Sequence, residues 1–218
     1  MRRFACLLLL AATLAAQSVH PITGRRYAGV MGVGGADWLV RPEREAEEQP
    51  DRALDLIHIA KGSTIADIGA GAGYLTWRLA ERTGPGGKVY ANDIQPAMLD
   101  LLRRNMRQRH LDNVEPVLGT VDDPKLPPAA MDLVLLVDVY HEFSEPQKML
   151  RKIRESMKPG ARLVLLEYRA EDPSVPIRPE HKMTVAGVKA ELEPEGFRLD
   201  QLLEDLPRQH ILIFRRTR

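Results

Sequence analysis

Residues 65–73 read Ile65-Ala66-Asp67-Ile68-Gly69-Ala70-Gly71-Ala72-Gly73, an apolar run that ends in an acid and three alternating glycines. Glycines at a strand-to-helix turn let the backbone approach a ligand closely, and the amides that open the next helix can bind an anion. A dinucleotide fingerprint needs a glycine at position 74, in G-x-G-x-x-G spacing. Tyr74 stands there instead. An acid at Asp67 repels a pyrophosphate but can hold an ammonium group. About twenty residues on, Asp93 is placed where a carboxylate can accept both hydroxyls of a ribose. The ligand implied carries an amine, a carboxylate and a ribose, and needs no phosphate.

A repeating strand–helix pattern must position these groups. Thr64–Ile68 is a short strand, and Leu75–Arg82 a helix closed by Thr83-Gly84-Pro85-Gly86-Gly87. Strands follow at Lys88–Ala91, Val114–Leu118, Asp132–Val137 and Arg162–Glu167, with helices at Pro96–His110, Pro146–Met157 and Val185–Glu193. The near-unbroken apolar run Asp132–Val137 reads as a central strand buried on both faces. Lys158-Pro159-Gly160 reads as the stop of the helix before it. Phe197–Leu203 and His210–Arg215 form a closing hairpin, so one of them runs antiparallel. The expected fold is α/β: a seven-stranded, mostly parallel sheet with helices on both faces and an antiparallel C-terminal strand.

The stretch from Asp67 to Gly73 resembles the first motif of the class I S-adenosylmethionine-dependent methyltransferases, acidic-x-Gly-x-Gly-x-Gly, and the resemblance covers roughly residues 50–216. It implies a Rossmann-like sheet and S-adenosyl-L-methionine as cofactor. Residue by residue, it implies that Asp67, Gly69, Ala70 and Gly71 surround the methionine moiety, that Asp93 binds the ribose and that Ile94 packs on the adenine. Tyr74, beside the glycine turn, and Asp138, which opens the segment after the central strand, join the cofactor-binding set. An acidic residue after the third strand often reaches the adenine amino group in this family. Thr120 stands where that contact is first sought, with Asp122 and Asp123 just downstream. A closer match is with uncharacterised bacterial methyltransferases that often carry signal peptides. They resemble this chain at Gly35-Ala36-Asp37-Trp38-Leu39, Arg41-Pro42-Glu43-Arg44, Asp138 to Phe143, and His181-Lys182-Met183. That match adds no substrate.

Methyl transfer is an in-line displacement at an activated sulfonium carbon, so the protein aligns the acceptor, excludes water and, for OH or NH acceptors, removes a proton. Asp138-Val139-Tyr140-His141-Glu142-Phe143 is expected to face the sulfonium. His141 has the ordinary pKa of a base near neutrality. Tyr140 can pack on the sulfonium or the acceptor, and Glu142 can orient His141. The competing reading makes Tyr140 and His141 pocket wall. No metal is expected: His141 and Glu142 are adjacent rather than in H-E-x-x-H spacing, and neighbouring helical side chains diverge by about 100°. His181, on a later loop, is a third ligand only if the fold brings it there.

Thirty-one Lys+Arg against thirty Asp+Glu give a net charge of +1, and without Arg2 and Arg3 the balance is 29 to 30. That gives no electrostatic case for nucleic acid as a partner. One cysteine, Cys6, excludes a disulfide framework and a Cys-rich zinc site, and no apolar run reaches the ~18 residues of a membrane span. Arg2-Arg3, the Leu- and Ala-rich run Phe4 to Ala16, and the small exit residues have the three parts of a signal peptide. The expected organisation is therefore a signal peptide at 1–17, a lid segment and first helix at 18–60, and the cofactor-binding domain at 61–218. A secreted or periplasmic location follows, with a cytoplasmic or N-terminally tethered protein as alternative. The expected function is methyl transfer to a small-molecule acceptor; the alternatives are a non-catalytic cofactor-binding module and a nicotinamide-dependent oxidoreductase.

Overall fold

The computed structural model describes residues 19–217, so the leader at 1–17 lies outside the described residues. The strands are β1 (Thr64–Ile68), β2 (Lys88–Asp93), β3 (Val114–Leu118), β4 (Met131–Val137), β5 (Met157–Arg169), β6 (Lys182–Met183), β7 (Phe197–Leu203) and β8 (Gln209–Arg216). They form one sheet in the order β3-β2-β1-β4-β5-β8-β7, with β6 paired to β5 off this path. The sheet is parallel except for β8, which runs antiparallel to both its neighbours. The helices are α1 (Ala36–Leu39), α2 (Glu43–Glu48), α3 (Pro50–Ile57), α4 (Thr76–Thr83), α5 (Pro96–Gln108), α6 (Pro146–Ser156) and α7 (Val185–Leu192).

Side chains alternate across a strand, so each strand feeds two cores. Ala66, Ile68, Val134, Leu136, Leu163 and Leu165 face α6 and α7. The residues between them, Ile65, Leu133, Leu135, Val164 and Leu166, pack with α3 and α4. Val134, Leu135 and Leu136 are all fully buried, which makes β4 the central strand that its apolar run announces. Each such side chain contributes about 1.5–3 kcal/mol when buried. In α3, Ala53, Leu54 and Ile57 supply the buried stripe at helical spacing, so the segment ahead of the glycine turn belongs to the core.

Three departures from the sequence reading matter. Among the described residues there are eight strands rather than seven, because the two-residue β6 is too short to show any periodicity. Strand β5 begins at Met157 and runs through Pro159-Gly160. The ladder pairs Met131 with Met157 and then Leu133 with Arg162, so residues 158–161 bulge out of register and accommodate the proline. Strand β2 reaches Asp93, two residues beyond the expected end, because Asn92 and Asp93 pair with Val117 and Leu118 of β3.

Candidate active site

The chain order reverses beside β1: β2 and β3 lie to one side and β4 to the other. Such a switch point opens a crevice at the carboxyl ends of the strands. The glycine turn fills its floor. Gly69 has φ +71°, and a Cβ built there would lie 2.4 Å from Val139 Cγ2, so only glycine fits. The Ala70 N–H donates to the Asn92 carbonyl at 2.9 Å, and the Gly71 N–H to Asp93 Oδ2 at 2.9 Å. Asp93 Oδ1 accepts the Gln95 N–H at 2.8 Å. A carboxylate offers about four acceptor positions, so two remain for ribose hydroxyls.

Asp67, next to last in β1, is almost wholly buried, with Thr76 donating to its Oδ2 at 2.6 Å. Burial pushes its carboxyl up to about 6, with the Asp93 charge adding to the rise and the Thr76 bond and the Arg44 charge opposing it. A cleft of about 1070 Å³, partly open to solvent, lies above these residues. Asp67, Gly69, Ala70, Gly71, Tyr74, Asp93, Ile94 and Asp138, all expected to bind the cofactor, line it. The residues fit S-adenosylmethionine: a glycine floor, one buried acid for an ammonium, and a second acid with free acceptor positions for a ribose.

The segment before the sheet closes over the cleft with Val30, Met31, Leu39 and Arg44. Gln95 Nε2 holds the Met31 carbonyl at 2.9 Å. The Arg44 guanidinium lies 4.3 Å over the Tyr74 ring and donates from Nε to Glu48 at 2.7 Å. It also reaches Asp138 Oδ2 at 3.5 Å, while Tyr168 Oη donates to Glu48 at 2.7 Å. Asp138 has φ +52°, and Gln209 Nε2 lies 2.9 and 2.8 Å from its two oxygens. Burial, with the Glu48 charge beside it, drives the Asp138 carboxyl well above its usual range. Among the described residues, the buried Gln209 Oε1 has no partner.

Of the turn Tyr140–Glu142, only Glu142 lines the cleft. Tyr140 is fully buried, donating from its hydroxyl to Glu191 Oε2 at 2.9 Å and from its N–H to Glu167 Oε1 at 2.9 Å. His141 is buried behind the wall, its Nδ1 2.6 Å from Glu167 Oε2 and its Nε2 3.1 Å from His181 Nδ1. Burial opposes charge on this imidazole, but Glu167 outweighs it and raises its pKa. Both residues thus stand in the position of wall and anchor. Burial pushes the Glu142 carboxyl up to about 7, with the His141 charge opposing.

Beyond the third strand, Val121 rather than Asp122 lines the cleft. Asp122 instead accepts the Thr120 hydroxyl at 2.7 Å, and Asp123 accepts the Lys125 N–H at 2.8 Å. The structure therefore brings Asp122 to the loop surface and away from the cofactor set. His141, Glu142 and His181 each place a ligand atom within 4.8 Å of the others, against the divergence expected of adjacent residues. The expectation assumed an α-helix; here a single 3₁₀ turn carries the first two, and the pairing of β6 with Tyr168–Arg169 delivers the third. No local pattern marks Arg25, whose guanidinium is paired with the buried Glu191 at 2.8 Å and donates to the His141 carbonyl at 2.9 Å.

Residues 59–204 match the profile of a family described as a methyltransferase domain. An uncharacterised methyltransferase of Mycobacterium tuberculosis is 34% identical over 124 residues, which are 57% of this chain and 47% of that protein. A ubiquinone/menaquinone biosynthesis C-methyltransferase of Escherichia fergusonii is 30% identical over 116 residues, 53% of this chain and 46% of that protein. The chain thus spans about half the length of the curated relatives it matches. A crystal structure of a SAM-dependent methyltransferase from Aquifex aeolicus superposes with a TM-score of 0.80 at 26% identity, covering 85% of this chain and 98% of that one. The switch-point cleft, the glycine floor and these likenesses converge: the chain belongs to the methyltransferase-domain family.

Proposed function

We propose that the protein transfers a methyl group from S-adenosylmethionine to a small-molecule acceptor. The observation that carries this reading is one cleft holding Asp67, the Gly69–Gly71 turn and Asp93 at the switch point, roofed by Val30, Met31 and Leu39. S-adenosylmethionine supplies a methyl already activated on a sulfonium. The chain's own work is then to bind, align and exclude water. Asp67, as carboxylate, accepts an ammonium; Asp93 accepts hydroxyls with the positions that Gly71 and Gln95 leave free. Val30, Met31 and Leu39 give the cleft an apolar roof. Glu142, Phe143 and Ser144 line it beyond the carboxyl end of β4 and form the side from which an acceptor is met.

The test is single-turnover transfer of labelled methyl to a panel of thiol, phenol, amine and metalloid acceptors. Turnover of one class supports methyl transfer and names the acceptor atom. S-adenosylhomocysteine binding with no transfer to any class would favour the non-catalytic cofactor-binding module. Family membership replaces the nicotinamide-dependent reading.

We infer export from Arg2-Arg3 and the apolar run Phe4 to Ala16. The chain then works outside the cytosol, as a cleaved or an N-terminally tethered protein.

A further inference from the structure

We propose that His141, Glu142 and His181 bind one divalent first-row transition cation at the edge of the cofactor cleft. His141 Nε2 and His181 Nδ1 are 3.1 Å apart, with their rings edge to face at 5.0 Å between centroids. Two imidazole nitrogens on one ion, with bonds of ~2.0–2.1 Å, stand roughly 2.8–3.4 Å apart between cis-octahedral and tetrahedral geometry. The pair already has that separation. Glu142 adds a carboxylate oxygen, and the three ligand atoms lie within 4.8 Å of one another.

The buried side of the site fixes which nitrogen is free. Glu167 is wholly buried; its Oε2 sits 2.6 Å from His141 Nδ1, and its Oε1 accepts the Tyr140 N–H. A carboxylate there holds the proton on Nδ1 and leaves the Nε2 lone pair aimed at His181. Carboxylate–imidazole–metal is the common way in which a protein orients a ligating histidine and raises its basicity. The backbone is held as well: the His141 carbonyl accepts from Arg25 Nη1 at 2.9 Å and from the Ala28 N–H at 3.1 Å. Strand β6, next to His181 in the chain, pins the third ligand to the end of β5.

Two imidazoles and a carboxylate suit Zn²⁺, Co²⁺, Ni²⁺ or Fe²⁺, whereas Mg²⁺ and Ca²⁺ take oxygen sets. Three protein ligands leave coordination positions open. Glu142 alone of the three lines the cleft, so those positions face the space where an oxygen or sulfur of an acceptor is held. That role for the cation rests on the methyl-transfer reading; the binding of the cation does not. Without it, the same nitrogens share an ordinary imidazole–imidazole hydrogen bond.

Titration of the untagged, metal-stripped protein with Co²⁺ separates the two. The expected result is visible d–d absorption that saturates at one equivalent and is displaced by Zn²⁺. His181→Ala should weaken Co²⁺ by more than the roughly 10–100-fold that loss of a ligand's hydrogen-bond partner costs. Glu142→Gln should weaken it at least tenfold. S-adenosylhomocysteine affinity, measured in parallel, should be unchanged in His181→Ala, which shows that variant folded. Absence of the bands in the parent protein, or equal bands in parent and His181→Ala, overturns the site. Failure of the parent to bind S-adenosylhomocysteine while the Co²⁺ bands appear would strike the cofactor reading alone.

Discussion

Asp93 Oδ2 accepts the Gly71 N–H at 2.9 Å, so the residue placed to hold a ribose also ties the glycine turn to the end of β2. One carboxylate therefore couples two parts of the cofactor floor that lie twenty-two residues apart in sequence. Its substitution is expected to act on ligand contacts and on the shape of the turn together. Asn at this position retains one acceptor oxygen, whereas Ala retains none.

Gly69→Ala tests the floor. Its φ of +71° and the 2.4 Å approach of a built Cβ to Val139 Cγ2 leave no room for a side chain. The left-handed backbone costs roughly 1–2 kcal/mol for a non-glycine residue, and the overlap about 1–3 kcal/mol more. A lower melting temperature and at least a tenfold rise in the Kd for S-adenosylhomocysteine are expected. An alanine variant with the parent's Tm and Kd would contradict the geometry.

Asp67 predicts a pH-dependent stability of the cofactor-free protein. Its folded pKa of about 6 lies above the usual carboxylate range because burial disfavours the charge. The sign follows: a raised pKa gives stability that is complete below about pH 4 and is lost as pH rises through about 6. Asp67→Asn keeps an acceptor for Thr76 and removes the charge. At pH 7.5 it should be more stable than the parent by up to about 3 kcal/mol, a difference that fades below pH 4. Its affinity for S-adenosylhomocysteine should nevertheless fall, since the ammonium loses its counter-charge. Thermal melts at the two pH values decide; a parent more stable than the variant at pH 7.5 sinks the assignment.

Glu191 holds the N-terminal segment. It is wholly buried and accepts from Arg25 at 2.8 Å and from the Tyr140 hydroxyl at 2.9 Å. Breaking a buried pair by removing one partner costs about 3–5 kcal/mol. Glu191→Ala should lose that much in denaturant unfolding and speed amide exchange at residues 20–28. Unaltered exchange there would show that the pair does not anchor the segment.

Leu9→Arg places a charge inside the apolar run read as a leader. A tagged protein carrying it should be retained in the cytosol while the parent is exported. Identical fractionation of the two contradicts export.

The cofactor floor was legible because Asp67, the glycine turn and Asp93 lie at the ends of consecutive strands, where local spacing decides what faces the crevice. Val121 and Asp122 show the limit: of these loop neighbours Val121 lines the cleft, while Asp122 accepts the Thr120 hydroxyl, and no local spacing distinguishes them. The wall behind the cleft was not legible for a different reason. Arg25 meets Glu191 across 166 positions, Tyr168 meets Glu48 across 120, and His181 meets His141 across 40. No periodicity reports such pairings. His141 and Tyr140, expected to face the sulfonium, sit on a 3₁₀ turn that directs their side chains to Glu167 and Glu191 and leaves Glu142 lining the cleft.

Titration calorimetry with S-adenosylhomocysteine, on the parent, Asp93→Asn and Asp93→Ala, tests the cofactor cleft most directly. Each charged hydrogen bond lost costs about 1.5–3 kcal/mol, so the alanine variant should bind at least about tenfold more weakly, with the asparagine variant between it and the parent. The parent should bind one molecule per chain. A folded Asp93→Ala protein with the parent's Kd, or a parent that gives no heat of binding, would contradict the account.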